Sequence, residues 1–365
     1  SSGPVGRLST EGLDKVFEEF SEIIRIGETA EYLKNLFKKS YLEHNNLADA
    51  TRFLANELFS EEGLVIIDGD DRNLKTIFAP HIKDELIHQN SFKEVSKTIH
   101  QLKDYTVQVN PREINLFYIE DNLRERIVFE DNIYKVNHTK IQFSESEILE
   151  ALHNSPEKFS PNVILRPLYQ EVILPNLAYI GGGGEIAYWL ELKSNFENQK
   201  VTFPILMLRN SFVVATEKQL EKMEKLQITW SDLFLPQEEL FQLKTKELSS
   251  IKIDFSEQKE TLQKQFSDLL KIAAQTDKSF LGAVKAQEAK QLKGLENLEK
   301  RLLKAEKRVH SEKLERIVTI QNQLFTNRSL QERKNNFSEF YSKEFIKNVV
   351  SLSNPLKTEF KIIEI

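Results

Sequence analysis

The chain of 365 residues contains no cysteine. That excludes disulfide bonds, thiolate catalysis and cysteine-ligated zinc, and it fits a cytoplasmic setting. No apolar run reaches the roughly 18 residues of a membrane span. The opening SSGPVGRLST has neither the basic region nor the apolar region of a secretory signal. It also lacks an initiator Met, as expected of a fragment or a processed piece. Positive charge is not in excess. The net charge is −6, where a nucleic-acid protein would show a basic face, so neither nucleic acid nor membrane is expected as a partner. His44, His81, His88, His100, His138, His153 and His310 are scattered without HExxH spacing, so no metal site is expected. GxSxG, Walker A and GxGxxG are absent too. What remains is length for two or three compact units, and 40% apolar residues with 24 Phe, enough for a real core.

Of the 12 glycines, four stand together at Gly181, Gly182, Gly183 and Gly184. They sit inside VILRPLYQEVILPNLAYIGGGGEIAYW, residues 163–189, the stretch around which the chain is organised. Glycine accepts positive φ and lets another group approach the backbone closely. An apolar segment closes at Tyr179-Ile180, and Glu185-Ile-Ala-Tyr-Trp reads as the first turns of a helix. A glycine loop that opens a helix presents free N–H groups and the positive end of a dipole, which suits an anion. The plainer alternative is a tight turn packed under another element, and no Lys follows as in a P-loop.

In chain order, residues 10–60 read as three amphipathic helices, with Asn45 or Asn46 capping the third. Leu64-Val-Ile-Ile is the clearest strand, followed by Asp68-Gly-Asp-Asp and a helix, one β–α step of a parallel sheet. Asp68, Asp70 and Asp71 then stand where open α/β sheets place ligands, although such a cluster is more often turn chemistry, since Asp caps turns and the helix that follows. YTVQV, INLFYIE, RERIVFED and NIYKVN, within 105–143, alternate as short strands, and Ser144-Glu-Ser-Glu starts a capped helix. Val201–Arg209 reads as a second buried strand leading to Arg209, Asn210 and Ser211. From Pro236 to Asn327 the composition turns to Gln, Lys, Glu and Leu. Leu295, Leu302 and Val309 recur every seven residues, as do Phe255, Leu262 and Leu269, with a break near Asp277. This predicts an antiparallel helical hairpin, one arm running from Phe280 to Phe325 for roughly 70 Å at 1.5 Å per residue. Residues 329–350 read as a helix, and Phe360-Lys-Ile-Ile-Glu-Ile as a strand returning to the sheet. The expected division is therefore 1–235, a hairpin at 236–327 inserted within one α/β domain, and a return at 328–365.

Chemistry-bearing residues are embedded in this apolar frame. Arg166, Tyr169, Gln170 and Glu171 precede the glycines, Asn176 and Tyr179 adjoin them, and Glu185 and Tyr188 follow. Arg209, Asn210, Ser211, Gln331, Glu332 and Arg333 are candidates to join them. Buried polar groups cost several kcal/mol unless paired, so these residues are expected to form a network. Arg suits bidentate binding of carboxylate or phosphate, and Glu beside an apolar wall can act as a general base. The bland counterpart is an internal net fixing the hairpin's return onto the core.

LRPLYQEVILPNLAYIGGGGEIAYW at 165–189, GLVIIDGDD at 63–71, LRNS at 208–211, SLQER at 329–333 and the opening SGPVGRLS resemble the bacillithiol biosynthesis cysteine-adding enzyme family, BshC. The resemblance covers essentially the whole chain. It implies an α/β fold with a Rossmann-like parallel-sheet core, helical connecting segments and a long antiparallel coiled coil used for homodimerisation. It also implies ligation of L-cysteine to glucosaminyl-malate in the cytoplasm. Family members carry roughly 150 further residues, one domain's length, ahead of this starting point. A T-G-x-Q segment and an E-D-H-D-like segment in that region are thought to line the site, so the chain is expected to be the C-terminal two-thirds of the enzyme. The family loop commonly reads G-G-P-G-E, and Gly183 stands at the proline here.

Amide formation from a free carboxylate is uphill in water, so activation by ATP, with Mg2+ accompanying it, is the economical expectation. The glycine loop would receive a phosphate or carboxylate. Arg166 and Arg333 would orient anions, and Glu171 or Glu185 would accept a proton from the sugar amine. The alternatives are a coiled-coil scaffold with a nucleotide- or partner-binding α/β body, and a different ATP-dependent amino-acid ligase.

Overall fold

A computed structural model describes residues 3–24, 26–342 and 344–365; Ser2 of the SGPVGRLS stretch and Lys343 lie outside them. The chain opens with helices α1 (Leu13–Ile23), α2 (Glu28–Phe37), α3 (Leu47–Phe59), α4 (Arg72–His88) and α5 (Asn90–Gln101). Strands β1 (Leu116–Glu120), β2 (Leu123–Glu130), β3 (Ile133–Val136) and β4 (Gln142–Phe143) follow, then α6 (Glu145–Asn154) and β5 (Phe159–Pro161). The middle of the chain comprises α7 (Arg166–Ile173), β6 (Ala178–Gly181), α8 (Gly183–Leu190), α9 (Lys193–Asn198), β7 (Ile205–Leu208) and β8 (Ser211–Ala215). The remainder comprises α10 (Glu217–Lys225), α11 (Trp230–Leu233), α12 (Gln237–Leu248), α13 (Ser256–Ala273), α14 (Lys278–Val309), α15 (Ser311–Leu324), α16 (Phe345–Leu352) and β9 (Phe360–Glu364). Asn46 caps α3 by accepting from the Asp49 N–H, and Ser144 and Glu147 close a capping box on α6.

Two compact units emerge: residues 1–210 with 341–359, and residues 211–340 with 360–365. In the first, an antiparallel sheet of order β4-β3-β2-β1-β5 packs its inner face on α4 and α6. Phe78, Ile82 and Leu86 from α4, Ile148 and Leu152 from α6, and Leu116, Ile127 and Tyr134 from the sheet are essentially buried. The same core continues through Leu168, Tyr169, Trp189, Leu192 and Phe196. β6 and β7 pair in parallel, Ala178 opposite Ile205 through Gly181 opposite Leu208.

Several expectations are corrected in this unit. Leu64–Ile67 is not a paired strand; it has no regular secondary structure, and Leu64, Val65 and Ile67 are 46%, 77% and 39% exposed. Residues 105–109 are not a strand either, because the Glu191 carboxylate accepts from the Gln108 and Val109 N–H groups and holds them as a loop. β7 is shorter than Val201–Arg209 and is not buried, with Ile205 68% exposed.

In the second unit β8 pairs in parallel with β9, Ser211 opposite Phe360 through Ala215 opposite Glu364. The terminal strand therefore does return to a sheet, within the unit that carries the hairpin. Val213, Ala215, Met223, Leu240, Leu314, Ile317, Ile320 and Leu324 form its core. The hairpin arms are α13 and α14, and Asp277 caps α14 by accepting from the Ser279 and Phe280 N–H groups. Phe266, Ala273 and Val284 form the buried seam, with Leu262, Leu270 and Leu281 against it, and Lys259 pairs with Glu299 at 2.5 Å across the arms. The arm does not continue to Phe325. It breaks at His310 (φ −99°, ψ 13°), so α14 spans 32 residues, about 48 Å. The cause is a change of buried face. α14 turns its apolar positions to α13, whereas Leu314, Ile317, Ile320 and Leu324 of α15 belong to the unit's other core. Residues 329–350 are likewise not one helix; 3₁₀ turns at Gln331–Arg333 and Phe337–Glu339 precede α16.

Candidate functional site

α7 begins at Arg166-Pro167, where proline's fixed φ and missing N–H suit a first turn. Asn162 anchors its start, accepting from the Ile164 and Leu165 N–H groups through its side chain and from the Arg166 N–H through its carbonyl. That geometry sends Leu168 and Tyr169 into the core and turns Arg166 and Gln170 toward α8. At the helix's far end, buried Glu171 accepts from the Asn176 N–H (2.9 Å), the Asn176 carboxamide (3.0 Å) and Gln170 Nε2 (3.1 Å). Its carboxylate closes the turn that leads into β6.

β6 delivers Tyr179 and ends in the glycines. None of these four adopts positive φ. Gly181 is required for another reason: a Cβ there would lie 2.6 Å from the Tyr179 ring, and that ring stacks on Trp189 with centroids 4.1 Å apart. Gly182 caps α8 with no side chain, and Glu185 reaches back so that Oε2 accepts the Gly182 N–H at 2.8 Å. Gly183 and Gly184 are exposed, and a side chain at either would meet open space.

Arg166 joins these parts. Nη1 donates to Gln170 Oε1 (3.1 Å) and Nη2 to the Tyr188 hydroxyl (3.0 Å). No carboxylate pairs with it among the described residues. Burial pulls the Arg166 pKa down, but the Tyr188 hydrogen bond and the Tyr179 phenol hold it above its ordinary value. Burial pushes the Tyr179 phenol up, with Arg166 drawing it back and Glu185 adding to the rise. Arg166, Gln170, Tyr179, Gly181–Gly184, Glu185 and Tyr188 therefore converge, and Glu171 with Asn176 braces them.

The other candidates stand elsewhere. Asp68 accepts from the Asp70 N–H, and Asp71 caps α4 through the Asn73 and Leu74 N–H groups, both as turn chemistry. Asp70 pairs with Arg7 (2.5 Å) and with buried Lys75. Burial opposes its charge, yet the bonds from Arg7 and Lys75 hold its pKa below the usual value. Buried Tyr169 donates to the Gly69 carbonyl at 2.9 Å, tying α7 to this turn; burial and the Asp70, Asp71 and Asp68 charges push its phenol up. The Arg209 N–H bonds to the Gly181 carbonyl, while Asn210 holds residues 354–357, donating to Lys357 O and accepting from the Asn354 N–H. In the second unit, Gln331 bonds both the N–H and the carbonyl of Val214, and Glu332 accepts from the Phe212 N–H (3.3 Å) and the Ser211 hydroxyl (3.4 Å). Arg333 is exposed.

Sequence reasoning missed Arg7 and Lys75. The first lay in a quoted motif, and the second follows the Asp cluster on the inner face of the next helix. Among the described residues no group of three or more His, Cys, Asp or Glu could hold a metal ion, and no helix is long and apolar enough to cross a membrane.

An α/β unit holding a glycine turn, followed by a unit built around a helical hairpin, defines a two-part architecture. The chain belongs to the BshC family. The family description "Bacillithiol biosynthesis BshC, N-terminal Rossmann-like domain" matches residues 1–210, and "Bacillithiol biosynthesis BshC, C-terminal coiled-coil domain" matches residues 212–365. A relative from Flavobacterium psychrophilum is 63% identical over 367 residues, covering 100% of this chain and 69% of the relative. One from Flavobacterium johnsoniae is 60% identical (100% and 70%), and one from Christiangramia forsetii is 56% identical (98% and 68%). All three carry the name "Putative cysteine ligase BshC".

Proposed function

We propose that this chain carries the cysteine-adding step of bacillithiol biosynthesis, joining the carboxylate of L-cysteine to the amine of glucosaminyl-malate. One observation carries the reading. Arg166 is a part-buried cation with only neutral partners, held at a glycine turn that opens a helix. A charge kept in that state favours an anionic ligand, and both substrates carry carboxylates.

ATP, bringing its own Mg2+, would supply the leaving group that makes amide formation downhill. The residues present fit a phosphate or carboxylate: Arg166 offers the charge, and the Gly183 and Gly184 N–H groups have no partner among the described residues. Glu171 is buried and already accepts from three donors, so proton acceptance falls to exposed Glu185, whose Oε1 is uncommitted. Tyr188 and Gln170 orient Arg166, and the Tyr179–Trp189 stack walls the site. The protein would work in the cytoplasm as a homodimer, burying Leu269, Ile272, Phe280 and Leu298, which are 46–59% exposed on the hairpin.

The test is mass-spectrometric detection of bacillithiol after incubation with L-cysteine, glucosaminyl-malate and ATP. This chain, its Arg166→Ala variant and the 63%-identical relative would be assayed side by side. Product from the relative that vanishes with its matching arginine supports the proposal. Absence of product from every sample, or product unaffected by the arginine, overturns it.

A further inference from the structure

Residues 102–115 join α5 to β1 without regular secondary structure, and two buried carboxylates hold them. Glu191, at the C-terminal end of α8, accepts the Gln108 N–H at 2.7 Å and the Val109 N–H at 3.4 Å. Glu85 of α4 accepts the Asn115 N–H at 2.8 Å. Both carboxylates belong to residues only 3% exposed, and burying such a group is costly unless hydrogen bonds satisfy it. From Asn115 the bonds run on to the candidate site. Asn115 is fully buried, and its carboxamide is committed at both ends. Nδ2 donates to Ser91 Oγ (2.6 Å) and to the Arg112 carbonyl (2.7 Å), while Oδ1 accepts from the Arg112 N–H (3.0 Å) and from Asn162 Nδ2 (2.9 Å). The Asn115 carbonyl also takes the Asn162 N–H at 3.0 Å. Asn162 in turn carries the first turn of α7, where Arg166 stands. The loop is thus pinned to the end of α8 at one point and to the start of α7 at another, and a satisfied buried network of this kind is rigid.

We infer that Asn115 and Asn162 are positioning residues: with Glu85 and Glu191 they make the 102–115 loop a brace that sets α7 against α8 and brings Arg166 within reach of Tyr188. The consequence for substrate rests on the reading of Arg166 as the anion-binding group. A hydrogen bond of 3.0 Å tolerates a slip of only about 0.5 Å, so the brace matters at the site and not only for stability.

Asn162→Asp is the discriminating change. It keeps an acceptor for the Ile164 and Leu165 N–H groups, and with it the start of α7, but sets a carboxylate oxygen instead of a donor against Asn115 Oδ1. The first readout needs no ligand: exchange of the Arg166 guanidinium protons, followed by NMR on the chain with isotope-labelled arginine, with Tyr188→Phe as the reference for a lost bond. Asn162→Asp should speed that exchange roughly 2- to 12-fold, as Tyr188→Phe does, the range set by one modest hydrogen bond. Glu191→Gln, acting at the loop's other anchor, should do the same, and it keeps the test open where Asn162→Asp does not fold. Calorimetric titration with ATP and with L-cysteine should weaken over the same range. Unchanged exchange in either folded variant overturns the inference, because a loss of overall stability alone would leave the native bond intact. Faster exchange with both titrations unaltered, in these variants and in Arg166→Ala alike, upholds the brace and overturns the anion-binding reading instead.

Discussion

Arg166 Nη2 lies 3.0 Å from the Tyr188 hydroxyl, a bond from a guanidinium to a neutral group where a carboxylate would ordinarily stand. The arrangement predicts an asymmetric response to mutation. Arg166→Ala should weaken binding of the anionic substrates by about 1.5–3 kcal/mol, roughly 10- to 150-fold, because a charge-assisted contact is lost. Tyr188→Phe removes only an orienting bond and should cost about 0.5–1.5 kcal/mol. Isothermal titration with ATP and with L-cysteine reads both.

The four glycines are not equivalent. Gly181→Ala drives a methyl into the Tyr179 ring, which cannot retreat because it stacks on Trp189. Unfolding in urea should show a loss of about 1–3 kcal/mol. Gly183→Ala and Gly184→Ala meet nothing and need no positive φ, so each should be neutral or stabilise by about 0.4–1 kcal/mol.

Glu85 gives an acid-side pH dependence. Its buried carboxylate accepts only from neutral donors, Ser91 Oγ at 2.7 Å, the Ser91 N–H at 3.2 Å, and the Asn115 N–H and Nδ2 at 2.8 and 3.3 Å. Burial raises its pKa above the ordinary 4.5, and those bonds only partly offset the rise. The associated stability is full below pH 4.5 and is lost as pH rises through the folded value. Stability of the wild type relative to Glu85→Gln should therefore fall over that window and then level off, as read by urea unfolding across pH.

Asp70 works in the opposite direction, since Arg7 and Lys75 hold its pKa below 3.8 against burial. Its contribution is present above pH 3.8 and is lost as pH falls through the folded value. Asp70→Asn leaves Lys75, only 2% exposed, without its countercharge and should cost about 3–5 kcal/mol. Adding Lys75→Met should recover much of that loss, and recovery in a double-mutant cycle would separate charge stranding from simple loss of a contact.

For the hairpin, Ile272→Glu or Phe280→Glu places a charge on residues 59% and 49% exposed in the single chain. If these residues meet a second copy, sedimentation should shift to monomer while circular dichroism keeps its helical signal.

The sequence made legible what depends on local signals. Asp277, Asn46 and Ser144 cap the helices they were expected to cap or bound, and the seven-residue spacing located the hairpin. The length of its second arm was not legible, because the helical pattern continues through His310 and only the identity of the buried face changes there. At the candidate site, Arg166, Tyr179 and Glu185 converge because one short β–turn–α segment carries the last two and α7 packs against it. Gln331 and Glu332 looked like site residues because they are polar among apolar neighbours. What they satisfy is a strand edge, and residue type alone cannot distinguish that from a ligand.

That edge has its own consequence. Val214 and Phe212 face outward from β8, away from β9, and the Gln331 carboxamide bonds the Val214 N–H and carbonyl as a neighbouring strand would, while Glu332 takes the Phe212 N–H. Two side chains thus act as a false strand, and β8 has no open ladder on which another chain could grow. The β8 edge of the second unit is thus closed to strand addition by two side chains rather than by a third strand.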